Sequence, residues 1–82
     1  MHGKNTGQPL SVGERLTLLR TRAGLSKSQL AKDMYTTRQV IRRWETGEQQ
    51  LKLDDAVRIA DYYGVSLDWL AGREKNRNTR LQ

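Results

Sequence analysis

The stretch LSKSQLAKDMYTTRQVIRRWETG, residues 25–47, decides the fold, because it contains two short helical patterns joined by a polar break. The first pattern begins at Ser26, whose hydroxyl can cap a helix and form a capping box with Gln29. Leu25 and Leu30 have the spacing of a hydrophobic staple, which is a second signal for a helix start here. The apolar residues on its inner face, which we assign to the core, are Leu30, Ala31 and Met34.

A second helical pattern begins at Thr37 and stops at Gly47, which can supply the left-handed residue of a helix end. Ile41 and Trp44 are its buried pair, because apolar residues at helical spacing usually pack in a core. Val40 has two interpretations, contact with a thymine methyl group or contact with a partner. The outer face of this helix is basic and amide-bearing, with Arg38, Gln39, Arg42 and Arg43.

Two short helices, a tight turn and a basic second helix are typical of a helix-turn-helix. The stretch resembles the Cro/CI-type, or Xre, family of bacterial and phage repressors. The matching positions are Leu25, Ser26, Leu30, Ala31, Met34, Thr37, Ile41, Trp44, Glu45 and Gly47. The resemblance implies an all-α fold, a compact five-helix lambda-repressor-like domain whose second motif helix, at about residues 37–45, reads double-stranded DNA.

The turn between the two helices departs from the family pattern. Tyr35 stands where the family usually has glycine, and Thr36 stands where it usually has an apolar residue. A bulky residue at positive φ is costly. We therefore expect either a different backbone conformation at Tyr35 or a strain that the domain tolerates.

Length and composition describe one small domain with an excess of positive charge. The 82 residues include 15 Lys and Arg against 9 Asp and Glu, a formal charge of +6, and the pI is near 10.2. This balance favours a polyanionic partner such as nucleic acid. The absence of cysteine removes disulfides and thiol chemistry, and no apolar run approaches the about 18 residues of a transmembrane helix. We expect a cytoplasmic protein that does not associate with membranes.

Three further helices complete the predicted domain, which covers residues 11–72. The first helix begins at Ser11 with a capping box to Glu14 and ends at Gly24. Its apolar stripe consists of Val12, Leu16, Leu19 and Ala23. The fourth helix, the far wall of the core, has the apolar positions Leu53, Ala56, Ile59, Ala60 and Tyr63. A short fifth helix follows at residues 66–70.

The two ends of the chain lie outside the predicted domain. Residues 1–10 contain the only proline and few apolar groups, so we expect a flexible arm. Residues 73–82 are charged and predict a basic disordered tail. His2, the only histidine, is better explained as a solvated residue of the arm than as a metal ligand, because a metal site requires several ligands.

The resemblance also implies a structural ion pair between Arg20 and Glu45. Arg20 lies at the edge of the first helix's apolar stripe, and Glu45 lies near the end of the recognition helix. A carboxylate close to DNA repels phosphate unless it is neutralised. We therefore expect this pair to hold the first helix to the recognition helix.

The residues expected to contact bases are Thr37, Arg38, Gln39, Arg42 and Arg43. The first residues of a recognition helix point at base edges, where Arg38 suits guanine O6 and N7 and Gln39 suits adenine N6 and N7. Gln39 would instead close a capping box if Thr36, and not Thr37, capped the helix. The register of the family favours Thr37.

The residues expected to contact phosphate are Ser26, Lys27, Ser28 and Thr46. The first three begin a helix whose free N–H groups and positive dipole end attract anions. How Arg42 and Arg43 divide between bases and phosphates stays open. The loop after Gly47 has Lys52 as its only basic residue, so few phosphate contacts are expected from it.

The leading hypothesis is a sequence-specific transcriptional regulator, a repressor, that reads a palindromic operator as a homodimer on DNA. The resemblance places the dimer contact at residues 65–69 and the preceding loop. The alternative is an antitoxin or other protein-interaction module with a protein partner. An enzyme is the poorest hypothesis, because the sequence has no cysteine, no glycine-rich phosphate loop and no carboxylate pair in an apolar setting. We predict no cofactor, metal or small-molecule ligand.

Overall fold

The computed structural model describes residues 10–73, and within them every regular element is a helix. The helices are α1 Val12–Arg22, α2 Lys27–Asp33, α3 Arg38–Thr46, α4 Leu53–Tyr63 and α5 Leu67–Leu70. The predicted all-α, five-helix fold is thereby confirmed. The expected arm and tail lie outside the described residues, apart from Leu10 and Arg73 at their inner ends. None of the five helices is long and apolar enough to cross a bilayer.

The predicted helix starts are confirmed by their capping hydrogen bonds. Ser11 accepts from the backbone N–H of Glu14 at 3.1 Å, and the Glu14 carboxylate accepts from the Ser11 N–H at 2.8 Å. Ser26 and Gln29 form the same reciprocal pair at 3.1 and 2.7 Å. Thr37 accepts from the backbone N–H of residue 40 at 3.2 Å. Because Thr37 is the cap of α3, Gln39 is released from a capping role.

The core lies where the inner faces of all five helices meet. Its buried apolar residues are Leu16, Leu30, Ala31, Met34, Ile41, Trp44, Ile59, Ala60 and Leu70. The five largest fully buried side chains contribute about 1.5–3 kcal/mol each to the free energy of unfolding. These are Leu16, Leu30, Ile41, Ile59 and Leu70. Both motif helices supply core residues, so the position of α3 is fixed by packing.

Three of the predicted core positions are wrong. Val12 of α1 and Ala23, the residue after α1, are exposed, and Leu53 of α4 is 68% exposed. Val12 and Leu53 stand at the first residues of their helices, and Ala23 follows the end of α1. A helical period identifies the face of a residue but cannot tell whether another helix covers that part of the face.

The first helix packs against α3 at a glycine that the sequence did not single out. A Cβ atom on Gly13 would lie 2.3 Å from the Glu45 carbonyl oxygen and 2.7 Å from the Trp44 carbonyl oxygen. Both distances are far shorter than a normal contact, and both atoms belong to the backbone. Only glycine therefore permits α1 and α3 to approach this closely.

Arg20 and Glu45 form an ion pair between the same two helices, as the family resemblance implied. Arg20 Nε donates to one carboxylate oxygen at 2.6 Å and Nη2 to the other at 3.1 Å. Arg20 Nη1 also donates to the Leu25 carbonyl at 2.8 Å, and both charged side chains are largely buried. The hydrogen bond to Glu45 raises the pKa of Arg20 against the opposing effect of burial. The pair thus joins α1, the start of the motif and α3.

Candidate nucleic-acid interface

The outer face of α3 carries the basic and amide side chains that the sequence predicted. At about 100° of rotation per residue, the outer side chains cover one arc of the helix and the core pair, Ile41 and Trp44, covers the opposite one. Arg38, Gln39 and Arg43 are exposed, and Arg42 is half-buried. The ion pair and the core packing hold the inner arc, so the basic arc faces outward.

Arg38 and Gln39 lie at the first two positions of α3. Neither side chain forms a hydrogen bond or an ion pair with another residue of the described chain. Thr37, immediately before them, accepts one hydrogen bond within the helix, and its hydroxyl proton remains available to a ligand. The N-terminal end of α3 therefore presents donors and an amide that no hydrogen bond from residues 10–73 occupies.

Arg42 has a partner that sequence reasoning missed. Its Nη1 atom donates to Glu48 Oε2 at 3.0 Å, and this hydrogen bond lowers the pKa of Glu48. Glu48 lies six residues after Arg42, beyond the end of the helix, where the sequence showed only a polar connection. The detectable signal was an acidic residue directly after the helix-stopping Gly47. The bridge orients Arg42 and places a carboxylate beside the basic face.

The end of α3 is closed by its own hydrogen bonds. Gly47 adopts φ 86°, and its N–H and that of Gln49 both donate to the Arg43 carbonyl at 3.1 Å. The Thr46 hydroxyl donates to the same carbonyl at 3.3 Å and accepts from the Glu48 N–H at 3.4 Å. Of the predicted phosphate contacts, Thr46 is thus the one whose side chain already has internal partners on both sides.

The N-terminal end of α2 carries the other predicted phosphate contacts. Ser26 is the cap residue, and its N–H is already bound by the Gln29 side chain. Lys27 and Ser28 occupy the first two helical positions, where backbone N–H groups have no partner within the helix. Lys27 is half-buried and Ser28 is exposed. These two residues, more than Ser26, supply free donors at this end.

A shallow apolar groove lies on another part of the surface. Its lining includes Val12, Leu51, Leu53, Ala56 and Leu67. Val12 and Leu53, two of the three misassigned core positions, are thus surface residues of this groove. Within residues 10–73 no group of three or more His, Cys, Asp or Glu side chains could hold a metal ion.

The chain belongs to the helix-turn-helix family of the Cro/CI type, because a family model described as helix-turn-helix matches residues 16–70. It therefore contains a DNA-binding domain of the class found in transcriptional regulators, a family whose members are not typically enzymes.

Two curated relatives are similar in sequence to this chain. The HTH-type transcriptional activator BcrR of Enterococcus faecalis is 30% identical over 66 residues, which are 80% of this chain and 32% of the relative. The repressor protein CI of Enterobacteria phage phi80 is 34% identical over 72 residues, 88% of this chain and 30% of the relative. The chain thus spans about a third of the length of each, and one relative is an activator while the other is a repressor.

Proposed function

We propose that the protein is a transcriptional repressor that binds double-stranded DNA sequence-specifically in the cytoplasm and reads a palindromic operator as a homodimer. The observation that carries the proposal is the pair Arg38 and Gln39, which stand exposed at the start of α3 and have no side-chain partner among residues 10–73. A side chain that reads a base must be solvent-exposed in the free protein, so that it can exchange its hydrogen bonds with water for hydrogen bonds with the base edge. An Arg or Gln at this end of a recognition helix has the bidentate geometry that guanine or adenine requires.

In the proposed complex the two ends of the motif have different tasks. Arg38 and Gln39 read base edges, and Thr37 offers its methyl to a thymine or its hydroxyl to a phosphate. Arg42 and Arg43, one turn further along α3, complete the base-facing set. Lys27 and Ser28, with Ser26 and Thr46, hold the sugar-phosphate backbone and set the register without carrying sequence information.

Dimerisation follows from the small footprint of one domain, since a single recognition helix reads only a few base pairs. The apolar groove supports the proposal, because its rim residues Val12 and Leu53 are exposed apolar side chains of a small domain. Val65 and Trp69, which the resemblance assigned to the dimer, are half-buried against the core. The proposed dimer surface therefore centres on the groove, whose lining includes Leu67, a residue that lies between Val65 and Trp69 in the sequence.

The decisive experiment is selection of bound duplexes from a random pool, followed by titration of the selected operator and a mixed-sequence duplex. Arg38→Ala should weaken operator binding by about 1–3 kcal/mol and relax the selection at one base pair of each half-site. Lys27→Ala should weaken both duplexes alike and reduce the salt slope by about one unit per bound subunit. Arg22→Ala, which removes an exposed charge from α1, is the matched control.

Three results would contradict all or part of the proposal. A random pool that yields no consensus would remove sequence-specific reading. A consensus without two-fold symmetry, or saturation at one protein per site, would remove the palindromic dimer but keep the DNA-binding role. Binding to no duplex at all would favour a protein-interaction module on the same fold.

A further inference from the structure

The C-terminal end of α2 differs from the other helix ends of residues 10–73. Tyr35 adopts φ 58° and is the only non-glycine residue with positive φ in this range, whereas the other helices are followed by glycines. The Tyr35 N–H donates to the Lys32 carbonyl at 3.2 Å and the Thr36 N–H to the Ala31 carbonyl at 2.9 Å. These bonds form a Schellman motif, whose left-handed position normally favours glycine. Of the two interpretations drawn from the sequence, a tolerated strain is therefore the one observed.

Two side chains of α4 hold this end of α2. Arg58 Nη2 donates to the carbonyl of Met34, the C-cap of α2, at 2.8 Å. The Tyr62 hydroxyl donates to Asp33 Oδ2 at 2.5 Å, a bond that raises the pKa of Tyr62. Arg58 and Tyr62 are four residues apart and thus share one face of α4. The last turn of α2 is tied to α4 at two consecutive residues.

Arg58 also contacts the strained residue itself. Its guanidinium carbon lies 5.4 Å from the centroid of the Tyr35 ring, within the range of a cation–π interaction. The Tyr35 side chain is 89% exposed, so the core does not hold it in place. Asp55 Oδ1 lies 3.5 Å from Arg58 Nη1 and orients the guanidinium from the preceding turn of α4. One arginine therefore binds both the carbonyl before the left-handed residue and the ring of that residue.

The position of this turn affects DNA reading, because only Thr36 separates Tyr35 from Thr37, the cap of α3. Packing of Ile41 and Trp44 holds the middle of α3. We expect a change in the backbone at Tyr35 to shift only the first turn of the helix, which carries Arg38 and Gln39. Bidentate base contacts depend on that orientation more strongly than phosphate contacts do, since a flexible basic side chain follows a phosphate over a wider range of positions.

We propose that Arg58 is a positioning residue for base reading, acting from α4 through the strained turn at Tyr35 that leads into the recognition helix. The inference rests on the proposed function. In this proposal Arg58 does not contact DNA. Tyr62 supports the same role, because its hydrogen bond to Asp33 also holds the end of α2.

The test compares operator and mixed-sequence duplexes across a salt series, at a temperature where circular dichroism shows every variant folded. Arg58→Ala should lower operator affinity about tenfold, the lower part of the range for one bidentate contact, and change mixed-sequence affinity less than about twofold. The salt slope should stay that of the wild type. Tyr62→Phe, which removes only the hydroxyl, should reduce discrimination in the same direction by a smaller factor. Arg22→Ala, the loss of an exposed charge on α1, is the control.

The combination of Arg58→Ala with Tyr35→Gly identifies the route of the effect. Glycine adopts positive φ without strain, so the turn no longer needs Arg58, and the double variant should recover most of the lost discrimination. Equal weakening on both duplexes with a lower salt slope would show a direct phosphate contact and overturn the proposal. Unchanged discrimination in Arg58→Ala would overturn it too. If the wild type itself binds both duplexes equally, the proposed function fails, which is a distinct outcome from these two.

Discussion

Removing Arg20 and Glu45 together should destabilise the protein by less than the sum of the two single removals. Arg20 and Glu45 are joined by two hydrogen bonds of 2.6 and 3.1 Å, and their side chains are 11% and 6% exposed. Glu45→Ala leaves a largely buried guanidinium whose remaining protein partner is the Leu25 carbonyl. Arg20→Ala leaves a buried carboxylate without its cation and that carbonyl without its donor.

The magnitude follows from the burial of the pair. Breaking a buried ion pair by removing one partner costs about 3–5 kcal/mol, because the remaining charge stays desolvated. A domain of this size has a free energy of unfolding of roughly 4–12 kcal/mol. Each single alanine variant should therefore lose a large part of its stability. The double variant should be less destabilised than the sum of the two, by about 2 kcal/mol or more.

The assay is urea unfolding followed by far-ultraviolet circular dichroism on the wild type, both single variants and the double variant. Glu45→Gln and Arg20→Met keep the packing volume and serve if the alanine variants do not fold. Arg22→Ala, on the same helix but exposed, should change the free energy of unfolding by less than about 0.5 kcal/mol. Because the pair is buried, the coupling should persist at high salt.

The reasoning is refuted if the two single changes add up in the double variant to within about 0.5 kcal/mol. It is also refuted if the coupling disappears at high salt, because that behaviour belongs to an exposed pair.

Three further predictions concern Gly13, Glu48 and Tyr63. Gly13→Ala should lower the free energy of unfolding by at least about 2 kcal/mol in urea, although alanine favours helices, because its Cβ would meet two carbonyl oxygens; a gain in stability would contradict the packing of α1 on α3. Glu48→Gln should remove a negative charge from beside the basic face and raise affinity for mixed-sequence duplex with a steeper salt slope, and unchanged binding would show that the Glu48 carboxylate does not weaken DNA binding. Burial raises the pKa of Tyr63 from 10.0 to about 12. Folding thus favours the neutral phenol, so the contribution of Tyr63 to the free energy of unfolding is complete below pH 10 and is lost as pH rises towards 12. In urea unfolding at a series of pH values, Tyr63→Phe should lose less stability between pH 10 and 12 than the wild type. An equal loss in both proteins would exclude Tyr63 as its source.

The residues that the sequence assigned correctly are governed by local chemistry. The capping boxes at Ser11 and Ser26 and the cap at Thr37 connect residues three positions apart, and such contacts form whenever the helix forms. The core positions of the motif, such as Ile41 and Trp44, follow from the helical period in the same way. Both kinds of signal can be recognised in a linear sequence.

Apart from the bridge between Arg42 and Glu48, the interactions that the sequence did not predict join residues far apart in the chain. Arg58 contacts Met34, 24 positions away, and Tyr62 contacts Asp33, 29 positions away. Helical periodicity relates residues three or four positions apart and cannot predict contacts between separate helices. Gly13 is special only because α3 carbonyls come within reach of it. The ion pair of Arg20 with Glu45 spans 25 positions, and it was expected through family resemblance and not from spacing.

The sequence alone determined that this chain forms a helix-turn-helix with a basic outer face, because caps, stops and periodicity are local properties of a helix. Only the tertiary structure decided how that face is held. The close approach of α1 to α3, the left-handed Tyr35 with its tie to α4, and the carboxylate of Glu48 beside Arg42 all depend on where each helix or loop lies against its neighbours. That arrangement results from packing the whole core at once, and no single segment of the sequence encodes it.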